Sequence, residues 1–139
     1  MKNLLAIAWV GLLSCSIWAN ELTGPTTTTT FNGQYKWNSD PGSPGDIEAI
    51  FNRLENGTFK VAFHFRFQGK QHVYRGVAEG SLKNGPLSGK VTNESKRRSF
   101  SFEGQMKDGR FTGVHAEINR YGKVYQTGSL TLNVKKIAS

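Results

Sequence analysis

Gly80-Ser-Leu-Lys-Asn-Gly-Pro-Leu-Ser-Gly89 is answered 24 residues later by Gly104-Gln-Met-Lys-Asp-Gly-Arg-Phe-Thr-Gly113, and a partial echo, Gly128-Ser-Leu, follows after another 24. Leu54-Glu-Asn-Gly-Thr-Phe59 is a looser copy of the same unit. Each full copy centres on Asn-Gly or Asp-Gly, dipeptides that accept positive φ at both central positions of a two-residue hairpin turn. The flanking residues alternate between apolar and polar or small, the period of a strand that buries one face. A repeat whose unit is one hairpin describes an up-and-down meander. No useful stretch of helical period lies between the turns, which argues against βαβ units.

Working outward, Gln68-Gly69-Lys70 and Tyr121-Gly122-Lys123 are weaker turn signals, and two longer loops are expected at Asn38 to Gly45 and Asn93 to Arg98. These breaks predict eight strands at 31–38, 46–55, 58–68, 71–83, 86–93, 99–107, 110–120 and 123–134. The fold class is therefore all-β, a single antiparallel up-and-down barrel of about eight strands.

Two-residue turns fix register, so inward faces can be assigned. Leu54 is set opposite Phe59, Leu82 opposite Leu87 and Met106 opposite Phe111. These apolar pairs plug one end. Facing Gly pairs, Gly80 with Gly89 and Gly104 with Gly113, occupy the middle. The other end is expected to be polar and lined by Trp37, Glu48, His72, Tyr74, His115, Glu117, Asn119 and Gln126. The loops around it carry a basic rim of Lys70, Lys96, Arg97, Arg98, Arg120 and Lys123. A polar mouth with a cationic rim is where a ligand would bind.

The chain of 139 residues suffices for one domain with a modest core. Its first residues have the layout of a secretory signal peptide: Lys2, an apolar stretch from Leu4 to Leu13, and small residues up to Ala19. Residues 1–19 are read as that peptide, 20–30 as a Thr-rich linker and 31–139 as the barrel. Export to a periplasm or the medium is the expectation. Leu12-Leu13-Ser14-Cys15 offers an alternative, lipidation at Cys15, and only in that case is a membrane expected as partner. Cys15 is the sole cysteine, so cleavage after Ala19 leaves no thiol chemistry and no disulfide. Formal net charge is +8, or +7 without Lys2. That charge permits attraction to anions, but export makes nucleic acid an unexpected partner.

His115 and Glu117 fall two apart on one strand face, so an acid–base pair is one reading and a metal site another. The metal needs three or four convergent ligands, and no such spacing is present. No nucleophile elbow, phosphate loop or Cys/His metal motif occurs. The expectation is no catalytic set, no metal and no cofactor. Outward Val73, Val77, Val114, Ala116 and Ile118 offer a surface for self-association.

Gly33-Gln-Tyr-Lys-Trp-Asn38 opens the first strand and resembles the opening of calycin-type barrels, which is Gly-x-Trp in lipocalins and Gly-x-Trp-x-Asn in avidins. Tyr35 stands where that pattern has Trp, and no Trp follows Trp37, so the ligand-contacting Trp residues of avidins have no counterpart. The resemblance implies a meander barrel and a binding mode, one small ligand in its mouth. It does not transfer a ligand. The functional expectation is an exported, non-enzymatic module for a small anionic or amphipathic ligand. The alternatives are an envelope interaction module acting through its outer surface and a small barrel enzyme using His115 and Glu117.

Overall fold

The computed structural model describes residues 27–136, which form eight strands. They are β1 (Thr28–Trp37), β2 (Asp40–Arg53), β3 (Phe59–Phe67), β4 (Lys70–Gly80), β5 (Gly85–Asn93), β6 (Arg98–Lys107), β7 (Arg110–Ile118) and β8 (Val124–Val134). No helix occurs among the described residues. Each strand pairs antiparallel with the next, and β1 pairs with β8 to close the barrel. The expected signal peptide, Cys15 and most of the linker lie outside the described residues. β1 takes in Thr28 to Thr30, residues expected in the linker, because they find partners in Asn52, Phe51 and Ile50.

Turn chemistry decides the register, and it departs from expectation at two of the three turns read as two-residue. Asp108 and Gly109 both have positive φ (50° and 79°), and Met106 faces Phe111 with Gly104 opposite Gly113. At Asn56-Gly57 only Gly57 has positive φ. Leu54 N–H donates to the Thr58 carbonyl (2.8 Å), and Gly57 N–H donates to that of Leu54 (3.1 Å). The loop thus holds three residues, and Arg53 rather than Leu54 faces Phe59. A slip of one residue turns every side chain of a strand over. Ile47, Ala49 and Phe51 therefore face inward, and Glu48 faces outward, contrary to its expected place in the mouth. The apolar trio is the face that costs least to bury; the other carries Glu48 and Asn52.

At Asn84-Gly85 the loop is longer and Gly80 faces Leu87. This slip is even, so the inward set of β4 survives, but Gly89 faces Ala78 and the Gly80–Gly89 pair does not form. The freed Asn84 side chain accepts from Asp108 N–H (3.1 Å), and Lys83 C=O accepts from Gly109 N–H (3.3 Å). The two copies of the repeat thus tie their turns together. Asn38 to Gly45, expected as a long loop, is a tight turn at Asn38-Ser39 followed by an irregular start to β2, with pairing shifted between Tyr35 and Trp37. In β8, His115 faces Gly128 while Ala116 faces Gln126, so Thr127 is an extra, bulged residue. Beyond that bulge Gln126 and Val124 are exposed, which removes Gln126 from the mouth.

Closure imposes a stagger. Partners run from Thr30 through Ile50, Ala62, Arg75, Thr92, Ser99 and Ile118 to Val124 on β8. Thr30 itself accepts from Lys135 N–H, so one circuit climbs eleven residues, the Thr127 bulge included. Such a stagger tilts strands by roughly 35–45°. At the plugged end Phe51 is wholly buried, with edge-on neighbours Phe31 (5.4 Å), Phe59 (6.1 Å), Phe63 (6.4 Å) and Phe102 (6.5 Å). Outward Lys60, Arg75, Glu79, Lys90 and Glu103 are exposed, the reverse of the pattern a lipid-facing barrel needs.

The register predicts unequal costs in β2. Phe51→Ala is expected to lower stability by about 3–5 kcal/mol, and Leu54→Ala by about 1 kcal/mol. Urea unfolding measures both, and equal losses would contradict the pairing of Arg53 with Phe59.

Candidate functional site

The β1–β2, β3–β4, β5–β6 and β7–β8 turns all lie at one end of the barrel. The inward residues near this end were expected to be polar; they are mainly rings. His72 stacks on Phe65 (5.4 Å, 16° between planes), and Phe65 stacks on Tyr74 (5.6 Å). Trp37 meets His115 (5.1 Å), Phe67 (5.8 Å), Phe100 (6.0 Å) and Tyr35 (6.2 Å). Trp37, Tyr74, Phe100 and His115 help to wall a cavity of about 60 Å³, with Ile47 and Val91 among its other walls. This is well below the ~150 Å³ that accepts a benzene ring. The space suits the end of an alkyl chain.

One polar atom in this cluster has no partner. Trp37 Nε1 is buried and has no acceptor among the described residues. A buried donor left unpaired costs roughly 1–3 kcal/mol.

His115 is fully engaged. Its Nε2 lies 2.9 Å from Lys36 C=O, which can only accept, so Nε2 carries a proton. Its Nδ1 lies 2.8 Å from Thr127 Oγ1, and that hydroxyl also lies 3.1 Å from His115 C=O. In neutral imidazole the hydroxyl donates to Nδ1. In imidazolium it accepts from Nδ1 and donates to the carbonyl. Burial lowers the His115 pKa from its ordinary 6.5, and the Lys36 carbonyl partly opposes this. Gly128 makes the reach from β7 to β1 possible: a Cβ there would strike Lys36 O and the His115 ring. His115 thus staples three strands at the bulge.

The other expected site residues disperse. Glu117 accepts two hydrogen bonds from Arg98 (3.0 and 3.2 Å) at the surface, so it forms no pair with His115. Both partners are more than a third exposed, and such a bridge contributes little. Asn119 Oδ1 accepts from Tyr121 N–H and Lys123 N–H, both at 2.9 Å, and shapes a turn. Glu48 sits outside, 4.0 Å from Lys135. Trp37, His72, Tyr74 and His115 do share the inward face. Burial raises the Tyr74 pKa; Arg98 lowers it and Glu117 raises it, which places the hydroxyl within the field of that ion pair. Lys70, Lys96, Arg97, Arg98, Arg120 and Lys123 are all exposed at this end, and Arg98 also lies over Phe100 (5.4 Å). Among the described residues no three of His, Cys, Asp and Glu are grouped to hold a metal ion.

Ile47 is the lining residue that the expected register hid; the apolar alternation of Ile47, Ala49 and Phe51 was the signal for it. Phe65 and Phe100 were readable as inward but belong to the site as well as the core. Of the outward apolar residues, Val77 is exposed, Ala116 is buried, and Val73, Val114 and Ile118 are half-buried, so together they make a poor patch.

The chain matches no family model, no curated protein and no solved structure.

The staple predicts a pH dependence. The native state holds fewer protons on His115 than the unfolded chain does below about 6.5, so this stability is complete above that pH and declines as pH falls through it. His115→Gln is expected to flatten that part of the curve of urea midpoint against pH. Parallel curves for the two proteins would contradict the lowered pKa. Gly128→Ala is expected to displace the ring and cost about 2–3 kcal/mol.

Proposed function

We propose that this barrel is an exported, non-enzymatic binding module for a small anionic amphiphile. The observation that carries the reading is a purely apolar cavity, walled in part by Trp37, at the end of the barrel where the exposed cations lie. An alkyl end fills the cavity, and its polar head stays outward of it. The exposed cations at the same end favour a negative head. The eight-strand antiparallel closure is of the calycin kind at the level of architecture, and that analogy supports a ligand in the mouth without naming it. The enzyme alternative is disfavoured, since both ring nitrogens of His115 and the carboxylate of Glu117 are engaged within the protein.

Trp37 is the only Trp in residues 20–139, so its fluorescence reports on the site alone. Decanoate below its micelle concentration is expected to give a saturable change, with decyltrimethylammonium binding roughly ten-fold more weakly or not at all. Val91→Phe fills the cavity and is expected to abolish the response while the domain still melts cooperatively. No saturable change, or equal responses to the two amphiphiles, would remove the proposal. Native mass spectrometry of protein from its own host would then identify any retained molecule.

A further inference from the structure

Five large apolar side chains are strongly exposed among the described residues, and three of them, Tyr121, Val124 and Tyr125, lie in or beside the β7–β8 turn. Tyr121 is 78% exposed, more than any of the other four. The turn that presents it is well ordered by hydrogen bonds. Asn119 N–H donates to Lys123 C=O and Gly122 N–H donates to Asn119 C=O, both at 2.9 Å, while Asn119 Oδ1 caps two further N–H groups. Gly122 supplies the positive φ of 80° that closes it. The exposed apolar groups are therefore held out by the turn and are not a fraying end.

Cations accompany them. Arg120 lies 4.8 Å over the Tyr121 ring and Lys123 lies 5.2 Å over that of Tyr125. The neighbouring β5–β6 turn adds Lys96 and Arg97 beside one acid, Glu94, all three exposed. Glu117, the acid closest in sequence on β7, is held by Arg98. An aromatic and aliphatic tip ringed by positive charge matches the interface of an anionic bilayer, where tyrosines sit among headgroups and each nearby Lys or Arg strengthens binding.

We infer that the β7–β8 turn is a docking tip for an anionic lipid surface. Each tyrosine has one face covered by a cation of its own turn, which leaves a single face for a sugar or nucleobase to stack on. Val124 offers no stacking surface at all and suits an acyl environment. The tip inserts its phenol rings and Val124 at headgroup depth, and the flanking cations pair with lipid phosphates. This inference does not depend on the cavity having a ligand.

The test is co-sedimentation with vesicles, using the chain from Asn20 onward. That chain keeps all eight strands and lacks the apolar Leu4 to Leu13 segment. Binding is expected to vesicles of phosphatidylcholine with about 30% phosphatidylglycerol and not to phosphatidylcholine alone. Arg120→Glu with Lys123→Glu is expected to weaken it more than about 25-fold, at roughly five-fold per cation removed. Tyr121→Ser with Tyr125→Ser is expected to weaken it roughly ten-fold at unchanged net charge. Lys107→Glu with Arg110→Glu, at the opposite end, carries the same charge change and is expected to leave binding nearly intact. Val91→Phe is also expected to bind vesicles normally, which separates this inference from the cavity proposal. No binding to anionic vesicles overturns the inference, as does an equal loss from charge reversal at the two ends. Tip-dependent binding to heparin or to single-stranded DNA without vesicle binding overturns it in favour of a soluble polyanion.

Discussion

Pairing of β1 with β8 is the constraint on which the rest of the barrel depends. Closure removes both sheet edges, and it holds only if the strands tilt and the register climbs by a set number of residues per circuit. Tilted, tightly coiled strands bring carbonyl oxygens close to the Cα atoms of their neighbours. At Gly33, Gly76 and Gly128 a Cβ would collide with the carbonyls of Thr131, Lys90 and Lys36. Two of these three contacts lie on the β1–β8 seam. Small residues there are a requirement of closure before they are anything else, and only a small cavity remains beside them.

The seam also organises the aromatic end of the barrel. The Thr127 bulge kinks β8, turns Gln126 outward and lets His115 cross Gly128 to the Lys36 carbonyl. That crossing sets the imidazole edge-on to Trp37. A residue that looked like a catalytic base is a structural clamp whose two nitrogens are satisfied in either protonation state. Trp37, held among four rings and left without an acceptor, is the atom-level irregularity of the molecule. His115 and Glu117, the two groups read as able to move protons, are occupied within the protein.

Much of the inward face was legible. The strand β3 reads Phe59, Val61, Phe63, Phe65, Phe67 on alternate positions, and no other assignment buries them. Met106 opposite Phe111 followed from Asp108-Gly109, where the turn type demanded by the dipeptide is the one adopted. Glu48 and Gln126 were misplaced because each depends on one inserted residue, in the Asn56-Gly57 loop and in the β8 bulge. A single inserted residue reverses a strand face, and a dipeptide does not specify whether it closes two residues or three. The polar mouth failed for a related reason: Glu117 shares β7 with His115 and Asn119 follows the end of that strand, but they spend their polar atoms on Arg98 and on a turn.

By itself the sequence determined the strand number, the meander order, the apolar plug and the cationic end, because alternation and turn dipeptides are local properties. Tertiary structure alone decided which face of β2 is buried, that the mouth is aromatic, that His115 is engaged on both nitrogens and that Trp37 Nε1 is not. Those outcomes rest on contacts between strands distant in sequence, Trp37 with His115 and Lys36 with His115 above all. They arise only once the circuit closes and the stagger sets which residues meet across the barrel.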